Sequence, residues 1–251
     1  CEDYAAGIWP WASDNTLIQF NEVSGVKGMK DGQAFDSDAY TTNTTFQYNY
    51  THDNDGGFLL VCCFENTGTV VRYNISQNDR TRLFHMAGSN KNIRIYNNVF
   101  YVGKDIDIDL FLWTSGRGGW TRNVEIFNNI FYVAGTGRNS SAQRRKPVDD
   151  GTHVTQPGFG GSASIAFEHN VMYGNFKDIP DEWKRMVSDP MLAAPGTGGR
   201  GFDSLDGYKL REGSPCIGAG KPVENSGGRD LWGNKVPEGK NPSIGAHERS
   251  R

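Results

Sequence analysis

The chain has 251 residues, of which 36% are hydrophobic and 32 are glycines, and its formal net charge is −3. Abundant glycine with modest hydrophobic content predicts many turns and few long amphipathic helices, which favours an all-β repeat architecture. The weak negative charge does not favour a nucleic-acid partner, and no run of about 18 apolar residues is present to span a membrane. We therefore expect neither nucleic acid nor a membrane as a partner.

A short pattern, apolar-x-polar or aromatic-Asn-x-x, recurs along the first two thirds of the chain. Its anchors are Asn21, Asn49, Asn74, Asn98, Asn129 and Asn170, separated by 28, 25, 24, 31 and 41 residues. A period near 24 residues with tolerated insertions is typical of a solenoid whose turns are coils of short strands. Asparagine suits the bend between strands, because it tolerates left-handed backbone and bonds to neighbouring backbone. We expect the asparagines to stack from coil to coil.

The apolar residues upstream of the anchors predict which side chains face inward. Alternation along each strand assigns the inward positions to Ile8, Phe35, Leu60, Phe84 and Leu112. The outward columns are then Trp9, Asp36, Val61, His85 and Trp113, and Trp11, Asp38, Cys63, Ala87 and Ser115. Aromatic rings and carboxylates are thus expected to share one exposed face.

The four cysteines form no CxxC pair and predict neither a disulfide framework nor a metal site. We expect Cys62 and Cys216 to be small buried residues.

Three stretches of the sequence resemble a known group of proteins. The asparagine-anchored coils, the stretch DGQAFDSD…YNYTHDNDGG and the C-terminal SPCIGAG…RDLWGN…PSIGAHE resemble bacterial right-handed parallel β-helix proteins of carbohydrate metabolism. That group includes β-helical glycoside hydrolases and polysaccharide lyases. The resemblance implies a right-handed parallel β-helix in a protein that is secreted, periplasmic or at the cell surface. The coil motif specifies the fold and leaves the reaction open.

The domain organisation follows from the extent of the repeats. The coils occupy 1–176, and 135–160, which lacks periodicity, reads as a loop inserted between two rungs. Residues 177–251 read as a capping segment packed on the helix rather than a separate domain. The chain begins almost within a coil, without the cap that terminal repeats need. We expect the C-terminal part of a longer β-helix, or a first coil covered by an N-terminal β-helix portion or a second chain.

Asp36 and Asp38 are the strongest catalytic candidates. Two residues along a strand place their Cα atoms about 6.6 Å apart on one face, and glycosidic cleavage uses two carboxyl groups roughly 5–9.5 Å apart. Exposed acids are common on strands, but these would lie beside Trp9, Trp11 and Trp113, and indole faces suit the apolar faces of sugars. We predict catalytic roles for Asp36 and Asp38.

The turn HDNDGG adds Asp53 and Asp55. Asp53 is the alternative second catalytic carboxylate. The two acids could instead hold Ca²⁺, as β-helical lyases often do, although Asp before Gly is also an ordinary turn preference. We predict that no cofactor is required, with Ca²⁺ at Asp53 and Asp55 as the alternative.

The predicted substrate contacts are Trp9, Trp11, His85, Trp113 and Arg82. Arg82 would bind the carboxylate of a uronic acid in bidentate fashion, and otherwise it would pair with a neighbouring acid.

A glycoside hydrolase acting on a polysaccharide or oligosaccharide fits these features best, because the exposed face is richer in acids than in bases. A polysaccharide lyase acting on uronic-acid glycans with Ca²⁺ is the second hypothesis. A carbohydrate-binding or structural β-helix without catalysis is the third.

Overall fold

The structure is a computed structural model that describes residues 4–28, 30–115, 119–138, 165–180 and 184–250. Within these ranges it contains fifteen strands and a single helix, the 3₁₀-helix Phe202–Tyr208. The strands are β1 (Leu17–Gln19), β2 (Glu22–Ser24), β3 (Gln33–Ser37), β4 (Thr45–Gln47), β5 (Tyr50–His52), β6 (Gly57–Thr67), β7 (Val70–Arg72), β8 (Ile75–Gln77), β9 (Arg82–Tyr96), β10 (Val99–Val102), β11 (Asp107–Thr114), β12 (Arg122–Phe127), β13 (Ile130–Arg138), β14 (Ile165–Glu168) and β15 (Val171–Phe176). None of the described helical structure is long and apolar enough to cross a membrane.

The strands stack in parallel on three sides of a solenoid, and every ladder between these strands is parallel. One side contains β1, β4, β7, the second half of β9, β12 and β14. The second contains β2, β5, β8, β10, β13 and β15. The third contains β3, β6, the first half of β9, and β11. The parallel β-helix predicted from the asparagine spacing is confirmed.

The six anchor asparagines form one continuous ladder. The Nδ2 of each donates to the Oδ1 of the next, at 2.9–3.0 Å throughout. The same Oδ1 atoms also accept from the backbone N–H of the asparagine on the preceding coil. The left-handed bend itself is taken by the residue before each asparagine, as at Tyr48 (φ 55°) and Tyr73 (φ 52°). The ladder therefore satisfies buried backbone donors at one corner of every coil.

The inward column differs from the predicted one at two coils. The register pairs Phe35 with Leu59, Leu59 with Phe84, and Phe84 with Phe111. Leu59 and Phe111 therefore replace Leu60 and Leu112 as inward residues, a shift of one position. Such a shift exchanges the two faces of a strand.

The shift places Trp113 inside the solenoid, which corrects its predicted role in substrate binding. Its side chain is 2% exposed, opposite Met86 in the register, and its ring stacks with Phe111 at 6.0 Å between centroids. Thr114, not Trp113, lies in an outward position.

We therefore expect Trp113→Ala to lower the free energy of unfolding by about 3–5 kcal/mol, as truncation of a buried aromatic side chain does. Trp11 is 61% exposed, and Trp11→Ala is the matched control, with an expected change within about 0.5 kcal/mol. Denaturant unfolding of both variants measures the difference. Equal losses in the two variants would contradict the corrected register.

The C-terminal segment packs along the side formed by β5, β8, β10, β13 and β15. Its Leu205, Tyr208 and Ile244 share an apolar cluster with Tyr50 and other residues of those strands. Asn97, the residue before a ladder asparagine, binds it directly, since its Nδ2 donates to the Ser243 and Gly245 carbonyls. The segment is thus joined to several coils at once.

Two expectations, the inserted loop and the partner that covers the first coil, are only partly tested or not tested by the described residues. Of the loop predicted at 135–160, residues 135–138 belong to β13, and residues 139–160 lie outside the described residues. A covering partner for the first coil stays a prediction. That coil carries exposed Leu17 and Phe20.

Candidate functional site

Asp36 and Asp38 lie on the outward side of β3 and just beyond its end, next to the first coil. The Asp36 N–H donates to the Ile8 carbonyl and the Asp38 N–H to the Pro10 carbonyl, both at 3.1 Å. These bonds place Trp9 and Trp11 beside the two acids. The two indoles are 57% and 61% exposed, as the alternation predicts.

Asp36 is buried although it faces outward. Its side chain is 8% exposed, and its Oδ1 accepts no hydrogen bond from the described residues. Burial, with the charges of Asp38 and Asp31 added, raises the pKa of Asp36 to about 8. A carboxyl in this environment is protonated at neutral pH.

Asp31 is a third carboxyl of the same group, which the strand pattern of the sequence did not predict. Burial raises the pKa of Asp31, the Arg82 guanidinium opposes the rise, and the charge of Asp38 adds to it. Asp31 is only partly buried, so a bound molecule can reach it more readily than Asp36. The sequence signal is the Asp-Gly turn that leads into β3, which looks like ordinary turn chemistry.

The charge of Asp38 raises the pKa values of both Asp31 and Asp36. Asp38 is partly exposed, and its Oδ1 accepts a hydrogen bond from the Ala39 N–H at 2.6 Å. The three acids, Asp31, Asp36 and Asp38, are called the acidic cluster below. Interacting carboxyls among which burial and neighbouring charges raise a pKa are typical of acid–base sites.

Arg82 is buried and binds the backbone next to the acidic cluster. This position corrects its predicted contact with substrate. Arg82 is 6% exposed, and its Nη2 donates to the Lys30 carbonyl. The Gln33 amide oxygen faces Arg82 Nε and Nη2 at 3.2 and 2.8 Å, and the Gln33 amide nitrogen faces the Asp31 carbonyl at 3.0 Å. The guanidinium thus holds the turn that carries Asp31, and little of it is open to a ligand.

His85 lies in the outward column that contains Asp36, two coils further along. The register runs from Asp36 to Leu60, then His85, then Leu112, so Leu60 takes the position predicted for Val61. The His85 ring is half-buried, and its Nε2 lies 2.9 Å from Thr114 Oγ1. Burial lowers the pKa of His85 to about 3, so the ring is neutral.

Asp53 and Asp55 are held elsewhere. Asp53 follows β5 on another side of the solenoid, and its Oδ2 lies 2.9 Å from His52 Nδ1. Asp55 Oδ1 lies 3.4 Å from Lys27 Nζ. Each carboxylate thus has a basic partner, and among the described residues the two belong to no group of three metal-ligand side chains.

A disulfide lies beside Asp38, contrary to the expectation for the cysteines. Adjacent Cys62 and Cys63 are bonded to each other, while Cys216 is free and buried as predicted. The two sulfurs and a carboxylate oxygen of Asp38 lie within 4.8 Å of one another. Bonded sulfurs provide no thiolate, which is the form that binds metals, so we do not interpret the group as a metal site.

Comparison with known proteins adds one partial likeness. No protein-family model matches the chain. A lacto-N-biosidase of Bifidobacterium longum subsp. longum is 41% identical to it over 108 residues. The match covers 41% of this chain and 7% of the relative, so the chain spans a small part of that protein's length. The β-helix and this likeness together fit the carbohydrate-active β-helix proteins.

Proposed function

We propose that the protein is a glycoside hydrolase whose catalytic carboxyls come from the acidic cluster. The observation that carries this proposal is the mutual interaction of Asp31, Asp36 and Asp38 next to two exposed indoles. Hydrolysis of a glycosidic bond needs one protonated carboxyl and one ionised carboxylate at the same bond. A cluster in which burial and neighbouring charges favour the protonated form of some members provides both states at one pH.

We assign the ionised role to Asp38 and the proton-donating role to Asp31. Both are partly exposed, and a catalytic group must reach the glycosidic oxygen or the anomeric carbon. Asp38, as nucleophile or as base toward water, acts on the anomeric carbon, and Asp31 protonates the leaving oxygen. Asp36, buried and protonated, adds no charge at neutral pH. The catalytic role predicted for Asp36 stays a prediction that its asparagine variant tests.

The substrate class follows from the indoles and from the relative. Exposed Trp9 and Trp11 suit the apolar faces of sugar rings, and the relative's name specifies release of lacto-N-biose. We therefore propose an oligosaccharide with a terminal lacto-N-biose unit as the substrate. A lyase is less well supported, because Arg82, the predicted ligand for a uronate, is buried and bound to backbone.

The disulfide supports the proposed location outside the cytoplasm. Disulfides persist in oxidising compartments and are rare in reducing ones. Cys62 and Cys63 are partly exposed and would be reduced in the cytoplasm.

To test the proposal, the purified protein is incubated separately with a p-nitrophenyl lacto-N-bioside, with neutral polysaccharides and with uronic-acid polysaccharides, and the products are identified. Nitrophenol and free disaccharide from the first substrate are the expected result. Unsaturated product from a uronic-acid polysaccharide would replace the proposal with the lyase. Sugar binding without any product would replace it with a non-catalytic β-helix.

A further inference from the structure

The disulfide lies in the outward column that contains Asp38. Cys62 is opposite Ala87 in the register, and Asp36 and Ser37 are opposite Leu60 and Val61, so continuing the ladder by one residue puts Asp38 opposite Cys62. Cys63 Sγ is 3.9 Å from Asp38 Oδ1. The bonded sulfurs are thus immediate neighbours of the carboxylate to which we assign the ionised role.

The bond places both sulfurs on the same side of the strand. Successive side chains of a regular strand point to opposite faces, so unbonded Cys62 and Cys63 would place one sulfur outward and one inward. Here one carboxylate oxygen of Asp38 lies within 4.8 Å of both sulfurs. The opposing residue on the next coil is Gly88, with φ +94°, where a Cβ would overlap the Cys63 carbonyl oxygen. Only glycine fits against this backbone.

The backbone around the disulfide is fixed to the strand that carries Asp38. Asn66 is fully buried, and its Nδ2 donates to the Cys62 carbonyl and, at 2.8 Å, to the Ser37 carbonyl. Its Oδ1 accepts from the Thr41 N–H at 2.9 Å. The sulfurs are therefore held at a set position relative to Asp38.

Aromatic rings continue the apolar surface on either side. Tyr40, which is 45% exposed, packs edge-on against Phe64 with 4.7 Å between ring centroids. Trp11, on the coil before Asp38, is 61% exposed. Sulfur and aromatic surfaces both pack well against C–H groups. The carboxylate thus lies within an apolar surface made of Trp11, Tyr40, Phe64 and the disulfide.

We propose that the Cys62–Cys63 disulfide is a sugar-binding surface, on which the ring next to the scissile bond rests its apolar face while Asp38 reaches its polar edge. This inference rests on the proposed function and adds the structural element that positions the sugar beside the carboxylate. A pair of free thiols would not replace it, since successive side chains of the strand point to opposite faces and one sulfur would turn inward.

The test compares the oxidised protein, the protein reduced with a phosphine, and the variant Cys62→Ala/Cys63→Ala. Reduction gives the disulfide two electrons and, with water, two protons, and the phosphine leaves as its oxide. Alkylation and peptide mass spectrometry establish the thiol state. EDTA is present throughout, because two thiolates next to Asp38 would attract zinc. Steady-state rates on the p-nitrophenyl lacto-N-bioside give KM and kcat separately.

Reduction and the double variant should each raise KM by about tenfold, the effect of losing a modest apolar contact, with a smaller change in kcat. Reoxidation should restore KM, which separates the effect from misfolding. The control Cys216→Ala, remote from the face in the C-terminal segment, should keep the wild-type KM. The effect of Trp11→Ala on KM should not add fully to that of reduction, because contacts with one sugar ring are coupled.

An unchanged KM with both thiols shown to be free would overturn the proposal while leaving the hydrolase intact. A wild-type protein inactive on every substrate would instead refute the proposed function.

Discussion

Replacing Asp38 with asparagine should lower kcat by at least about a hundredfold while the protein stays folded. Loss of a positioned acid, base or nucleophile has an effect of this size. Asp38 is partly exposed, and the hydrogen bond that its Oδ1 accepts from the Ala39 N–H can also be accepted by an amide oxygen, so Asp38→Asn should lose little stability. Initial rates on the p-nitrophenyl lacto-N-bioside, with a melting curve for each variant, make the measurement. Exposed Asp203, in the C-terminal segment, provides the control Asp203→Asn, which should keep the wild-type rate.

Two companion variants test the assignment within the cluster. Asp31→Asn should lose activity as severely as Asp38→Asn, because an amide cannot donate the proton that the leaving oxygen needs. Asp36→Asn should lose less than about tenfold, since the amide reproduces the uncharged state of a protonated carboxyl. If Asp36→Asn is the inactive variant and Asp31→Asn is active, the proton donor is Asp36. If all three keep full rates, the catalytic cluster lies elsewhere.

Asp36→Asn should also stabilise the protein strongly at alkaline pH. The pKa of Asp36 is about 8 in the folded chain and about 4 in an unfolded one, so the folded state holds a proton that the unfolded state has released. The stability due to this proton is complete below pH 4 and is lost as pH rises from about 4 to about 8. A shift of this size corresponds to about 5 kcal/mol.

The free energy of unfolding, measured by urea at several pH values, tests this. Wild type should lose stability between pH 5 and 8 relative to Asp36→Asn, and the two curves should converge near pH 4. Asp203→Asn serves again as the control, and its free energy of unfolding should change with pH as that of the wild type does. Parallel curves for wild type and Asp36→Asn would show that Asp36 does not hold its proton.

The sequence predicted the asparagine ladder because each anchor bonds to an asparagine on the neighbouring coil. The ladder oxygens and nitrogens of Asn74, for example, bond to residues one coil away on either side. A residue with such specific partners must recur at the spacing of the coils. The pattern therefore survived insertions that changed the period from 24 to 41 residues.

The inward and outward positions were less predictable where both faces of a strand are apolar. The run Leu59–Leu60–Val61 lacks polar residues to mark the outward face, and all three side chains are at most 4% exposed. The run Leu110 to Trp113 in β11 likewise lacks a polar residue, and its outward Leu112 is partly buried. Alternation cannot choose between two registers when the outward residues are themselves covered. Trp113 was misplaced for this reason.

The candidate site was predicted in part. Asp36 and Asp38 stand out as two carboxylates on alternate residues of one strand. Asp31 precedes the strand in a turn, and its interaction with the pair depends on a backbone path that alternation does not describe. The disulfide was missed because neighbouring residues of a regular strand diverge, and nothing in the sequence shows that Cys62 and Cys63 depart from this rule.

The asparagine ladder also makes the protein sensitive to deamidation. Hydrolysis of an asparagine amide to a carboxylate removes the Nδ2 donor and leaves an oxygen in its place, and such loss limits many proteins at high temperature. At Asn98 that nitrogen donates to Asn129 Oδ1 and to the Val71 and Tyr96 carbonyls, so one converted side chain would set a charge against three acceptors in a fully buried corner. Every ladder position is followed by a bulky residue (Glu, Tyr, Ile or Val) and, beyond the first coil, is shielded from water. The chemical lifetime of the protein should therefore depend on how rarely the coils open.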